Sequence, residues 1–206
     1  MVSIIFIIIA APASAQNDNL YKTNMQKALD KLDSAQNVEQ LLDGRNLFER
    51  ISLKFTSKWQ PVYYTAYCDI QMVYFDPKSE TNKVRLDNVK QLLEKLDNFA
   101  GADASEVNTL WGYYYNAMIV YNPATSQVLF ANVVSSYEKA IGLNPENPRP
   151  IILRAFFNQF LPSFVKLKID TPKEVEKAGK LFAEEAKSIE SPYWGKYFMN
   201  KVKTDN

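Results

Sequence analysis

The chain contains no histidine and a single cysteine, Cys68. The first fact removes Ser-His-Asp and Cys-His nucleophile systems and any histidine-bearing zinc site. The second removes intramolecular disulfides and cysteine-ligated clusters. Cys68 itself stands in the apolar, aromatic run YYTAYCDIQMVYF, where a small buried side chain is the expected role. Carboxylates remain, paired at Asp30 and Asp33, at Glu174 and Glu176, and at Glu184 and Glu185. Each pair lies in a Lys-rich, helix-patterned segment and reads as a solvated face with partners three or four residues away. A glycosidase needs two carboxyls facing each other across a cleft, and none of these pairs has that setting. The six glycines are scattered, so no phosphate-cradling loop is present. The chain therefore reads as non-enzymatic and without a cofactor.

Aromatic side chains are the remaining chemistry. Tyr63, Tyr64 and Tyr67 lie in WQPVYYTAYCDIQMVYF, and Trp111, Tyr113, Tyr114, Tyr115 and Tyr121 in LWGYYYNAMIVY. A spacing of three and four packs such rings in a core with hydroxyls at its edge. Three consecutive tyrosines at 113–115 cannot all point inward, which leaves some rings for recognition. Tyr63, Tyr67, Trp111, Tyr114 and Tyr115 are the candidate ligand or partner contacts.

Helices must position these rings. Tyr21, Met25, Ala28, Leu29 and Leu32 form an apolar stripe at helical spacing. Further stripes run through Val38, Leu41, Leu42, Phe48, Ile51 and Phe55, through Leu86, Val89, Leu93, Leu96 and Ala100, and through Val175, Ala178, Phe182 and Ile189. Capping boxes begin at Asn37, Asp103 and Thr171, the last with Pro172 at the first helical position. Breaks between the stripes predict about eight helices and a short one near Tyr193 to Lys203. Phe48, Leu93, Tyr137 and Phe182 sit in similar local sequences 45, 44 and 45 residues apart. A fixed step of this size marks an array of helix pairs, each too small to bury its apolar face alone. The fold class is all-α, a helical-pair solenoid of about eight or nine helices.

Within YEKAIGLNPENP, the placing of Tyr137, Ala140 and Pro145 resembles the end of a tetratricopeptide repeat, and Trp111-Gly112 with Tyr115 resembles a degenerate first helix of one. The steps of about 45 exceed the usual 34-residue repeat. The layout, with ASAQ, an FER segment, Trp59-x-Pro-x-Tyr-Tyr, NPENPRP and a late Tyr193-Trp-Gly-Lys196, is similar to small exported tetratricopeptide-like proteins of Bacteroidota over nearly the whole chain past residue 15. The resemblance implies a helical solenoid outside the cytoplasm and no enzymatic activity.

The N-terminus agrees. Val2 to Ala11 is an apolar run followed by Ala13-Ser14-Ala15, the small-x-small pattern of a signal-peptidase site. Residues 1–15 are read as a secretory signal and 16–206 as one helical repeat domain. The run is too short to span a bilayer, which needs about 20 apolar residues. A periplasmic or secreted protein without stable membrane insertion is expected. With 24 Lys+Arg against 23 Asp+Glu, no global field favours nucleic acid. Residues 151–206 are mildly basic, which a solvated surface explains. Asp33-Ser34-Ala35 fits a short O-glycosylation pattern at Ser34. The expected function is binding of a protein or peptide partner on the inner aromatic face; the second reading is a small-ligand or glycan site built from the same rings.

Overall fold

A computed structural model describes residues 13–203. The expected signal segment lies mostly outside the described residues; only positions 13–15 fall within them, at the start of the first helix. Eight α-helices are present among the described residues: α1 Ala13–Asp33, α2 Val38–Lys54, α3 Gln60–Phe75, α4 Asn82–Asp97, α5 Ala104–Tyr121, α6 Ser126–Leu143, α7 Pro148–Gln159 and α8 Thr171–Glu184. No strand interrupts them, so the fold is all-α. None of these helices is long and apolar enough to cross a membrane.

Local signals set most boundaries. Asn37 caps α2 by accepting from the Gln40 amide, and Gln40 Oε1 accepts from the Gln36 amide in return. Asp103 caps α5 through the Ser105 and Glu106 amides, and Asn147 caps α7 ahead of Pro148. At α8 the expected cap moves by one residue: Asp170, not Thr171, accepts from the Lys173 amide. Thr171 is thereby the first helical residue and Pro172 the second, where a missing N–H costs nothing.

Every helix packs on its neighbours in sequence, and α3 also packs on α5 and α5 on α7. The odd-numbered helices α3, α5 and α7 thus stand side by side as one row. The equally spaced Phe48, Leu93, Tyr137 and Phe182 are all buried, one on each even-numbered helix. Tyr137 and Ala140 face the core while Glu138 and Lys139 face water. Gly112 lets α5 pack closely on α6: a Cβ there would lie 2.5 Å from the Tyr137 ring. Cys68 is wholly buried, and burial pushes its thiol pKa well up.

The C-terminal expectation needs correction. No α-helix forms over Tyr193–Lys203; α8 stops at Glu184, and residues 185–195 run without helix before a 3₁₀ segment at Lys196–Asn200. Ile189, read as part of the last stripe, belongs to this run. Pro192 withholds an amide from any helix there, and Gly195 turns the chain at φ 105°, a left-handed geometry that side chains resist. We call residues 185–203 the strap, because they cross the row of odd-numbered helices and end on α7. Lys187 pairs with Asp33 at 2.6 Å, Gln60 donates to the Glu190 carbonyl, and Gln159 Nε2 donates to the Lys201 carbonyl.

Candidate functional site

One face of the odd-numbered row carries a stripe on each helix: Gln60, Tyr63, Tyr67, Gln71 and Tyr74 on α3; Glu106, Tyr113 and Val120 on α5; Arg149, Phe156 and Phe160 at the end of α7. The helical period repeats these positions at intervals of three, four or seven. The two ends of the row differ in chemistry.

At the N-terminal ends of α3, α5 and α7 the face is polar and closed. Glu106 accepts from Tyr63 Oη at 2.6 Å, from Asn147 Nδ2 at 2.8 Å and from Arg149 Nε at 2.8 Å. Arg149 also pairs with Glu185 at 2.6 Å and donates to the Trp194 carbonyl at 3.3 Å. Trp194 Nε1 donates to Tyr63 Oη at 2.8 Å, and its ring lies 4.4 Å from Tyr67 and 5.7 Å from Tyr113. Burial alone would lower the Arg149 pKa; Glu106 and Glu185 reverse this and raise it, so the guanidinium stays charged. Burial raises Glu185, with Arg149 pulling the other way. Burial likewise drives Tyr63, Tyr67 and Tyr113 well above the usual phenol value, so all three stay neutral hydrogen-bonding groups. Glu106, Asn147, Arg149, Tyr63 and Trp194 all have partners, which is the condition for such a cluster to be stable; the hydroxyl of neighbouring Tyr64 has none among the described residues.

At the C-terminal ends the same row is open and apolar. Tyr74, Ile119, Val120, Phe130, Phe156, Phe157 and Phe160, with Leu161 and Pro162 beyond them, line a cleft of about 500 Å³. Asn116 and Ser126 are its only other lining groups. Phe160 is 69% exposed at its edge and Phe164, two residues past Pro162, is 86% exposed. Such rings have no role in a monomer core, and an exposed apolar patch of this kind marks a binding surface. Two backbone segments meet beside the cleft at the end of α7. Leu167 N donates to Asn158 Oδ1 at 2.7 Å, and Lys203 N donates to Gln159 Oε1 at 3.1 Å. They bring Lys166, Lys168, Lys201 and Lys203 to that end, all exposed. Among the described residues none of these four lysines forms an ion pair.

The five candidate residues do not come together. Tyr63 is fully buried under Trp194 and its hydroxyl is engaged, so it offers no surface to a partner. Tyr67 is also beneath Trp194 and lines a separate cleft on the α1 side of the strap. Trp111, Tyr114 and Tyr115 form their own group on the α4 side of α5. Trp111 stacks on Tyr115 at 5.5 Å and donates to Asp97 at 3.1 Å, while Tyr114 is buried with its pKa pushed up to about 12 by desolvation. The inner face expected to receive a peptide is therefore covered at its polar end by the chain's own strap.

The acid pairs also separate. Glu176 takes the solvated i, i+4 partner expected of it, Lys180. Glu174 instead pairs with Arg154 across α7 and α8, Glu185 with Arg149, and Asp33 with Lys187. Phe156, Phe157 and Phe160 had a signal in IILRAFFNQF, because two adjacent rings and a third at i+4 cannot share one buried stripe.

No family model matches this chain, and no curated protein does. Among solved structures, the HusA haemophore from Porphyromonas gingivalis is similar in fold: it superposes with a TM-score of 0.76 over 93% of each chain, at 24% sequence identity.

Proposed function

We propose that the protein is an exported, non-enzymatic carrier that binds a flat, apolar, carboxylate-bearing ligand of the haem type in the cleft at the C-terminal ends of α5 and α7. The observation that carries this reading is the pairing of an open, phenylalanine-lined cleft with four exposed lysines at the same end of α7 that form no ion pair among the described residues. Apolar ring contact supplies affinity in proportion to area removed from water, about 25 cal/mol per Å². The lysines supply orientation by meeting carboxylates at the rim, where screening keeps each contact modest. A cleft near 500 Å³ lies within the usual range for small-molecule sites.

The name of the similar structure, a haemophore, makes haem the first ligand to test. An exported carrier also agrees with the small-x-small site after Val2–Ala11. The fold is read as a degenerate tetratricopeptide-type array in which the ligand, not a peptide, uses the inner row. The chain has no histidine, and the cleft lining has no Met, Cys or Lys. Tyr74 lines the cleft, but its hydroxyl is enclosed and has no partner among the described residues. Recognition therefore rests on the ring faces and the carboxylates.

Hemin titration followed at its Soret band tests this. Wild-type protein should show a saturable shift. Phe160→Asp, at an exposed position, should weaken binding by about tenfold or more, worth about 1.4 kcal/mol or more. No saturable shift, or equal binding by Phe160→Asp, overturns the proposal.

A further inference from the structure

The strap bounds a second cleft of about 460 Å³ on the α1 side of Trp194, walled by the end of α1, the start of α2, α3 and the strap itself. It differs in kind from the phenylalanine cleft. Tyr197 presents exposed aromatic surface to it over the buried Tyr67 and Trp194, and Gln71, Lys196 and the Asp33–Lys187 pair present polar groups. Gln71 Nε2 donates to Tyr67 Oη at 2.7 Å and to Tyr197 Oη at 2.9 Å. Both phenols accept that bond, Tyr197 is further hydrogen-bonded to Tyr67 and Tyr113, and Gln71 Oε1 remains an acceptor. Burial raises the pKa of both phenols, so they are protonated at neutral pH. Lys196 is exposed and forms no ion pair among the described residues.

A purely apolar ligand would strip water from Gln71 and from the Asp33–Lys187 pair without replacing it, which costs about 1–3 kcal/mol per unpaired group. A sugar ring does not meet that penalty, because its C–H face rests on aromatic surface while its hydroxyls replace the lost water. We infer that this cleft binds a sugar ring bearing a carboxylate, of the uronic-acid class. The ring lies on the exposed Tyr197, its hydroxyls bond to Gln71 Oε1 and the Tyr197 phenol, and its carboxylate meets Lys196. This site is independent of the haem-type cleft, from which Trp194 and Phe198 separate it.

The test is ligand-observed NMR with methyl glucuronide, using methyl glucoside as the uncharged comparator. Wild-type protein should give saturable transfer to the glucuronide. Lys196→Ala should weaken the glucuronide by about three- to tenfold, the range of a partly screened charge contact, and leave the glucoside unchanged. Ala35→Trp, which adds bulk at a half-buried lining position, should abolish transfer from both sugars while its hemin titration and circular dichroism melt match wild type. No transfer from the glucuronide to wild type overturns the inference. So does undiminished binding by Ala35→Trp, or equal loss of both sugars in Lys196→Ala. Because hemin is read separately on the same variant, failure here and failure of the haem-type reading are distinguishable.

Discussion

The N-terminal and C-terminal halves of α3, α5 and α7 belong to the same three helices and face the same way, yet they solve opposite problems. At the N-terminal half, Tyr63, Glu106, Asn147, Arg149 and Trp194 satisfy one another and close the face under the strap. At the C-terminal half, Val120, Phe156 and Phe160 line an open cleft, and Phe160 is exposed even though Phe156 touches the strap at Phe198. A buried charge must be fully paired to be tolerated, so the first half is rigid by necessity. An apolar surface left uncovered is the one that gains by taking a ligand. The row is thus closed at one end and open at the other, where the proposed ligand would sit.

Alkali breaks that contrast most severely. Tyr63, Tyr64, Tyr67, Tyr74, Tyr113 and Tyr137 all have pKa values well above the ordinary phenol value because burial opposes the phenolate. A folded pKa raised above the unfolded one gives stability that is complete below the unfolded pKa and is lost as pH rises beyond it. Each such tyrosine forfeits about 1.4 kcal/mol per pH unit above about 10. Unfolding should therefore be steep above about pH 10, with phenolate absorbance and loss of helical circular dichroism rising together. Phenolate absorbance that appears fully while the helices persist would show that these rings are accessible.

Next in size is removal of one partner from the stitched end. Arg149→Met leaves Glu106 buried without its cation and should cost about 3–5 kcal/mol in a denaturant melt. Trp194→Ala removes the ring that fills the space over Tyr67 and should cost about 3 kcal/mol, releasing the strap to proteases. Gly112→Ala sets a methyl against the Tyr137 ring and should cost about 1–3 kcal/mol. Phe160→Asp at the open end should change stability by less than about 0.5 kcal/mol, because the ring is already exposed. A loss of several kcal/mol in that variant would mean that the cleft is core and not receptor.

Helix positions were legible because apolar spacing and caps are local: the stripe through Phe48, Leu93, Tyr137 and Phe182 falls on buried faces of four even-numbered helices. The strap was not legible. Its path depends on bonds such as Gln60 to Glu190 and Trp194 to Tyr63, which join residues 130 and 131 positions apart. Glu106 read as a capping-box residue, and only Arg149 arriving from α7 gives its carboxylate another use. The tyrosines drew attention because three consecutive rings cannot all point inward, but the strap buries those at the inner face. Phe156, Phe157 and Phe160 were not among the candidates, since composition cannot say whether another element will cover a ring. Likewise the basic residues 151–206 read as solvated surface, and only the two backbone bonds to Asn158 and Gln159 bring the segments that carry four of their lysines to the end of α7.

The most direct test of the receptor assignment is to record the backbone and methyl NMR spectrum of the protein with and without hemin, whose iron broadens nearby signals. Selective loss of signals from Ile119, Val120 and residues 156–162, with Tyr63, Glu106 and Arg149 retained, is the predicted result. Losses centred on the strap-covered end, or on Trp111 and Tyr115, would contradict the account.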